Sequence, residues 1–513
     1  MFSFDIFGRA SKVFAFLLAF VPFCVGWRHY PAPDLMAELI AVLLLSMLIV
    51  CGGDRRDWWG SFFWGLFFGG LVNVIFGFVQ VLRMDYYFPF VIPADSATHS
   101  FGVYGNIGQR NLFSAYVLVA GAIGVCLLRR IGVGWLGVIV VSSIFALLLA
   151  VAGGRLVLIY LVFLLLLCWF GRSRKGWIDK AALLVFSYAV LVFQFLLSGV
   201  SFAGHFSGAS RVSSGFQSRL SEWSKAVEIG VDHWPYGSGV GTYASQSFLY
   251  QVELSGFLPW SSALWDNAHN IFLMLFAELG VFGVLVFVVW MCSVVFCVLR
   301  STESEKNFYC AVVVGVLSIH SFFEYPLWNS CFLIIFLISL LLSIGPVLFK
   351  IKQPIMLLGC GGILFSILSI VDLNRLQVGF KGGRVVDGVL WEGNPIMHFY
   401  RGEALVARAG FGVEGAVERL CMVESMVRQR PAVELLDRYI AELILSDRLL
   451  EAKKVYASRL RVYPVVSQGW LFMAVVRGDE SKWSVLDSWR KVFVKHGAEA
   501  LGTYYKLERL DGC

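Results

Sequence analysis

The chain has 513 residues, 58% of them hydrophobic and only 15% charged, with a formal net charge of +7. A composition this apolar excludes an ordinary soluble domain. The basic excess does not point to nucleic acid, because Lys and Arg fall in short clusters between apolar runs, as topology determinants do.

Apolar runs of about 17–25 residues can each cross a bilayer as a helix. About eleven are expected, over roughly 12–28, 35–52, 58–82, 111–128, 133–151, 155–170, 181–199, 269–299, 307–323, 327–349 and 354–371. The 45 Phe and 17 Trp residues suit lipid-facing helices with interfacial belts. The first run follows Arg9 and Lys12 without a small-x-small cleavage site and reads as a retained helix. With the N-terminus inside, inner turns receive Arg9/Lys12, Arg55/Arg56, Arg129/Arg130, Arg172/Arg174/Lys175/Lys180, Arg300/Lys306 and Lys350/Lys352. The reverse orientation puts every cluster outside, against the positive-inside rule.

The expected class is therefore an all-α polytopic membrane helical bundle over 1–371, followed by a helical domain over 372–513 on the outer side. Two outer loops, about 83–110 and 201–268, interrupt the bundle, and a loop as long as the second is usually functional or a lid. In the tail, Ala416–Arg428, Val433–Ser446 and Leu449–Arg459 show helical periodicity and resemble a tetratricopeptide-type solenoid. A partner-binding module and a cap that only stabilises the bundle are both open readings. The 11 cysteines lack CxxC or metal-ligand spacing and read as small apolar fillers. No HExxH or acidic cluster suggests a metal, and no cofactor is expected.

Polar residues where apolar runs meet water are the candidates for chemistry. Gly105-Asn106-Ile107-Gly108-Gln109-Arg110-Asn111 opens the fourth run, with donors at a helix N-terminus that favours anions; a turn with a cap competes. Arg155, after Gly153-Gly154, suits an anion clamp or a snorkelling side chain. Arg219, in Arg219-Leu220-Ser221-Glu222-Trp223, is a second clamp candidate or a solvated loop charge. Pro235-Tyr236-Gly237-Ser238-Gly239-Val240-Gly241 has no βαβ context, so it reads as a packed turn rather than a nucleotide loop. His269 follows Asp266, which could tune it as a general base, or it simply caps a helix; Asn270 and the buried Glu278 follow. His320 and Glu324 share a helix face if the helix continues that far, and Pro326 then frees Tyr325 to point inward; an interfacial helix end is the alternative.

In this order, Gln109-Arg110-Asn111, the Pro235–Gly241 turn, Ala268-His269-Asn270 with Glu278-Leu279-Gly280, and His320-x-x-x-Glu324-Tyr325-Pro326-Leu327 resemble the bacterial O-antigen ligase and O-oligosaccharyltransferase superfamily. The Glu-Tyr-Pro-Leu motif and helical tail look most like its pilin-glycosylating branch. The resemblance implies an undecaprenyl-diphosphate-linked oligosaccharide as donor and a Ser or Thr hydroxyl of pilin or another periplasmic protein as acceptor. It also implies an inner-membrane location with the site and tail in the periplasm. By the same resemblance, Gln109, His269 and Tyr325 are the expected activity residues, and Arg155 and Arg219, with Arg110, the expected diphosphate ligands. A ligase or polymerase acting on a sugar hydroxyl is the nearest alternative. A transporter would instead place ionisable groups near mid-membrane and show internal repeats, and a scaffold would leave the Arg, His and Tyr residues without a task.

Overall fold

A computed structural model describes residues 2–26, 34–52, 58–94, 102–154, 156–170, 177–197, 216–253, 265–344, 352–382, 416–463 and 483–496. Among these residues there is no strand, and each expected apolar run coincides with a helix. They are α1 (Phe2–Cys24), α2 (Leu35–Gly52), α3 (Trp59–Val81), α4 (Arg110–Arg130), α5 (Trp135–Ala152), α6 (Val157–Phe170) and α7 (Trp177–Leu196). After two loop helices, α8 (Phe216–Asp232) and α9 (Tyr243–Glu253), come α10 (Ile271–Leu299), α11 (Glu305–Ser321), α12 (Ser330–Ile344) and α13 (Lys352–Gly382). By length and composition, five of these (α3, α4, α5, α10 and α13) can cross a membrane, and α2, α6, α7 and α12 are shorter apolar helices. Helices α1 and α13 run beyond the expected apolar stretches because no proline interrupts their polar flanks.

The chain forms two compact units: Met1–Phe216 with Val288–Leu373, and Gln217–Phe287 with Asn374–Cys513. In the first, α1 packs on α2 and α3, α4 on α3, α5 and α7, and α11 on α12. Phe62, Phe63, Tyr116, Phe145 and Tyr309 are fully enclosed in its core. Helix ends alternate within this unit. At one end Arg130, closing α4, pairs with Glu305 of α11 and covers the Trp59 ring of α3. Arg300, just after α10, donates to the carbonyls of Ser343 and Ile344 in α12 at 2.8 and 3.0 Å. At the other end Asn73 of α3 donates to the Phe23 carbonyl of α1 at 2.9 Å. There, too, Glu38 of α2 accepts from the Ser330 amide of α12 at 3.3 Å. Arg130 and Arg300 thus mark the same kind of end, as the charge clusters require.

The second unit joins loop and tail. The tail helices α14 (Ala416–Gln429), α15 (Val433–Leu445) and α16 (Leu449–Val462) match the periodic stretches read from sequence, and α17 (Trp483–His496) follows. Their core encloses Leu436, Tyr439, Ile444, Tyr456 and Leu460 together with Phe248 and Val252 of loop helix α9. Arg461 donates to the Val252 carbonyl at 2.6 Å. The tail is therefore built onto the second outer loop. Inside it Arg459 reaches Asp437 through two hydrogen bonds, at 2.8 and 3.2 Å, with both side chains buried. Cys421 in α14 is disulfide-bonded, whereas the nine other cysteines among the described residues are thiols. Reading every cysteine as a filler missed this one, which lies on a charged, amphipathic helix where a thiol is not confined to an apolar span.

Candidate active site

The first group of polar residues is in the first unit and starts from amides buried in an apolar helix. Gln80 of α3 accepts from the Tyr104 and Gly105 amides at 2.9 and 2.8 Å and donates to the Ile92 carbonyl at 2.8 Å. Asn73, two helical turns earlier on the same face, accepts from the Asn106 amide at 3.1 Å. Gly105 has φ +53, and a Cβ there would lie 2.6 Å from Asn73 Oδ1, so only glycine fits the clamp. The clamp fixes where α4 begins. Gln109 is its N-cap, accepting from the Leu112 amide at 3.3 Å. Arg110 begins the helix half-buried, its Nε 2.8 Å from where a Cβ on Gly102 would lie.

Asn111, in the first turn, donates to Glu324 Oε1 at 2.9 Å, joining two motifs separated by 213 residues. Helix α11 ends at Ser321, so His320 and Glu324 do not share a continuous helix face; the Glu324 amide instead bonds the His320 carbonyl at 2.9 Å in the closing turn. His320 is fully enclosed, its ring 6.0 Å from that of Tyr160. Tyr325 is exposed rather than turned inward, because Pro326 starts a 3-10 turn directly after it. Glu324, not Tyr325, is the buried member of this motif.

The second group is in the second unit. Helix α10 is interrupted at Gly280, with φ +55 and ψ −128. The turn Pro235–Gly241 fills the break: Ser238 and Gly239 amides donate to the Ala277 and Glu278 carbonyls at 2.9 Å, and the Val281 amide donates to the Pro235 carbonyl at 2.8 Å. The glycine-rich stretch is thus a packed turn, as its missing βαβ context implies. Glu278 accepts from the Tyr243 amide at 3.1 Å and from the Gly241 and Thr242 amides, covering the N-terminus of α9.

His269 precedes α10, but the cap is its neighbour: Asn270 Oδ1 accepts from the Leu273 amide at 3.2 Å. His269 itself has φ +50, a left-handed backbone that is costly for a branchless non-glycine residue and tends to cluster at functional sites. Asn267 Oδ1 holds its amide at 3.0 Å, and the Trp265 ring lies 4.2 Å from the imidazole. The side chain is half-buried and not consumed by capping. The Asp266 carboxylate is exposed and pairs with Arg430 of the tail at 3.3 Å.

A second carboxylate of this unit is Glu222 of α8. It is buried with Lys225, whose Nζ lies 2.6 Å from Oε1, and Lys225 also reaches Ser247 at 3.0 Å. The Tyr243 hydroxyl is 3.4 Å from Glu222 Oε2. Burial pushes the Glu222 carboxyl above the ordinary carboxylate range, while the Lys225 ammonium, His269 and the Tyr243 hydroxyl act against that shift. Burial and the Glu222 charge hold the Tyr243 phenol well above its usual range. Arg219 lies one turn before Glu222, half-buried.

Of the expected residues, Gln109, Arg110, Asn111, His320, Glu324 and Tyr325 fall in the first unit, and Arg219, His269, Asn270 and Glu278 in the second. Arg155 lies outside the described residues. Asn73, Gln80, Glu222 and Lys225 were assigned no role from sequence. The signal for the first two was available, as amides seven apart inside an apolar run. Among the described residues no group of three or more His, Cys, Asp or Glu is arranged to hold a metal ion.

Residues 138–288 match the family model described as O-antigen ligase (Wzy_C), a region that includes Arg219, the Pro235–Gly241 turn, His269 and Glu278. No curated protein and no solved structure matches the chain.

Proposed function

Membership of the O-antigen ligase and polymerase superfamily, supported by the match over residues 138–288, is the premise from which we propose a protein O-oligosaccharyltransferase. At family level the chemistry is glycosyl transfer of the O-antigen ligase type in a multi-pass membrane protein, from a lipid-linked oligosaccharide. The finer reading is transfer of the whole glycan from undecaprenyl diphosphate to a Ser or Thr hydroxyl of pilin or another periplasmic protein. The observation that carries it is His269: within the matched region, in left-handed backbone, at the start of a helix whose cap is Asn270.

In this mechanism the acceptor oxygen attacks the anomeric carbon, and the bond from that carbon to the phosphate oxygen breaks. Undecaprenyl diphosphate leaves with the bonding electrons, and the acceptor proton passes to His269, which as general base contributes about 10²–10⁴-fold. Arg219, with Arg155 and Arg110, offsets the charge that develops on the diphosphate. Gln109 and Tyr325 orient the reactants, with Asn111 and Glu324 holding the α4 entrance. A macromolecular acceptor is favoured over a sugar hydroxyl because the tail is built onto the second outer loop through α9. The periplasmic assignment of the tail is supported by the Cys421 disulfide, since disulfides persist in oxidising compartments.

The test is the mass of a pilin co-expressed with the enzyme and a lipid-linked glycan, with and without His269→Ala. A glycan-sized increment that the variant abolishes supports the reading. Glycan on lipopolysaccharide alone makes the enzyme a ligase, and lengthened glycan on the lipid carrier makes it a polymerase.

A further inference from the structure

Helix α10 has 29 residues, about 43 Å at 1.5 Å per residue, which exceeds the roughly 30 Å hydrocarbon core of a bilayer. Its sequence and shape show which part crosses. Glu278 is its one charged residue, and the backbone breaks directly afterwards at Gly280. From Val281 to Leu299 the helix is uncharged and about 28 Å long, a full span in itself, and Arg300 follows it. Phe282, Leu285 and Val286 are exposed on it, as lipid-facing side chains are. The Gly280 break therefore marks the hydrocarbon boundary. The Pro235–Gly241 turn is tied to that boundary by the Val281 amide on the Pro235 carbonyl. A Cβ on Gly237 would lie 2.4 Å from the Glu278 carbonyl carbon, so backbone meets backbone there. Yet the turn presents large side chains outward: Trp234, Tyr236 and Val240 are 55%, 73% and 78% exposed. Helix α8 runs straight into it, with Gly230 against the Phe276 ring of α10 and the Trp234 ring 6.2 Å from that ring. Leu220, Val227 and Val231, at i, i+7 and i+11, form an exposed apolar stripe on α8, away from the face that encloses Ala226 and Ile229. Ser224, Glu228 and Asp232 follow one edge of the stripe.

We infer that this stripe and turn rest in the interface of the membrane leaflet at which α10 breaks, with α8 lying along the surface as an interfacial helix. Continuity with the lipid-facing surface of α10 selects lipid as the occupant. The bond that joins Pro235 to Val281 sets Trp234, Tyr236 and Val240 at the level where the span emerges. Trp and Tyr are favoured at that level, because each pairs an apolar body with a polar tip. The stripe on α8 extends the same apolar surface, and Glu228 and Asp232 line its water-facing edge. The contact is apolar rather than electrostatic. Of the two basic residues of α8, Arg219 is half-buried and Lys225 is enclosed, so neither lies on the stripe. Such an anchor sets the height of α8 against the bilayer whatever reaction the chain performs, and it stands apart from the glycosyl-transfer reading.

The test uses the purified full-length protein, a single copy per nanodisc, in phosphatidylcholine doped with a phosphatidylcholine that carries a diazirine on its acyl chain near the glycerol. After irradiation and pepsin digestion, mass spectrometry locates the lipid adducts. Adducts are expected on fragments covering Val227 to Val240 as well as on the span from Val281 to Leu299, which serves as the internal control. Val227→Gln/Val231→Gln places good helix formers at exposed positions, so the melting temperature is expected to stay near wild type. In that variant the adducts between Val227 and Val231 are expected to be lost while those on the span persist. Replacing part of the lipid with phosphatidylglycerol is expected to change nothing, because no basic residue lies on the stripe. A labelled span with no adduct between Val227 and Val240 overturns the proposal and leaves the stripe to water or to a protein partner. Labelling of the stripe that requires phosphatidylglycerol overturns it as well, since the attraction would then be electrostatic. Neither donor nor acceptor enters the experiment, so its failure is separate from any failure of His269 as the base.

Discussion

His269 and His320 look alike in the sequence: each is a histidine beside a carboxylate-containing motif where an apolar run meets polar residues. Their surroundings differ. His320 is fully enclosed in the helical core beside Tyr160, its backbone carbonyl engaged by the closing turn of α11. His269 is half-exposed in left-handed backbone, next to a separate residue that does the capping. A histidine that a structure needs for packing is buried and unstrained. One in left-handed backbone, partly accessible and in a turn it does not itself cap, is the better candidate for proton transfer.

The largest expected effect breaks or upholds that contrast directly. His269→Ala is expected to lose about 10²–10⁴-fold in transfer at an unchanged melting temperature. His320→Leu is expected to do the reverse, shifting thermal stability by about 1–3 kcal/mol through lost polar packing while transfer per folded molecule stays within about tenfold of wild type. A melting curve and a transfer rate on each variant decide it. A stable but inactive His320→Leu would move His320 from the core into the chemistry.

The helices were legible because length and apolarity alone determine a span, and 3.6-residue periodicity marked α14, α15 and α16 within a residue or three of their ends. Gln109, Asn111 and Glu324 were legible as polar groups at apolar ends, and a cap at the start of α4 was one of the readings offered, although the 213-residue Asn111–Glu324 link was not. The reading of a helix continuing through His320 to Glu324 failed because helix ends are the least constrained part of a periodic pattern. Glu222 was printed in a motif yet silent. Its meaning depends on Lys225 and Tyr243, which meet it only once α8 and α9 have packed.

An intermediate effect comes from the cap. Asn270→Ala removes the acceptor for the Leu273 amide and is expected to cost about 1 kcal/mol of stability at the start of α10. Because the same turn sets the backbone of His269, transfer is expected to fall by more than stability accounts for, and Asn270→Ser, another good N-cap, should recover both. Loss of stability with full transfer per folded molecule would mean that the imidazole position does not depend on the cap, and would weaken the case for strain as part of the site.

The smallest effect is the most discriminating for the carboxylates. Asp266 and Arg430 are each about half exposed, and exposed pairs of this kind contribute about 0–1 kcal/mol. Asp266→Asn is therefore expected to leave both the melting temperature and the transfer rate close to wild type, even though it neutralises the acid nearest to His269 in the chain. The comparison that matters is with Glu222→Gln, which leaves the buried Lys225 ammonium without its partner and is expected to lower the melting temperature. If Asp266→Asn were instead the more damaging of the two, the pairing with Arg430 would be a resting arrangement from which Asp266 leaves to serve His269, and the tail helix carrying Arg430 would gain a direct hand in the chemistry.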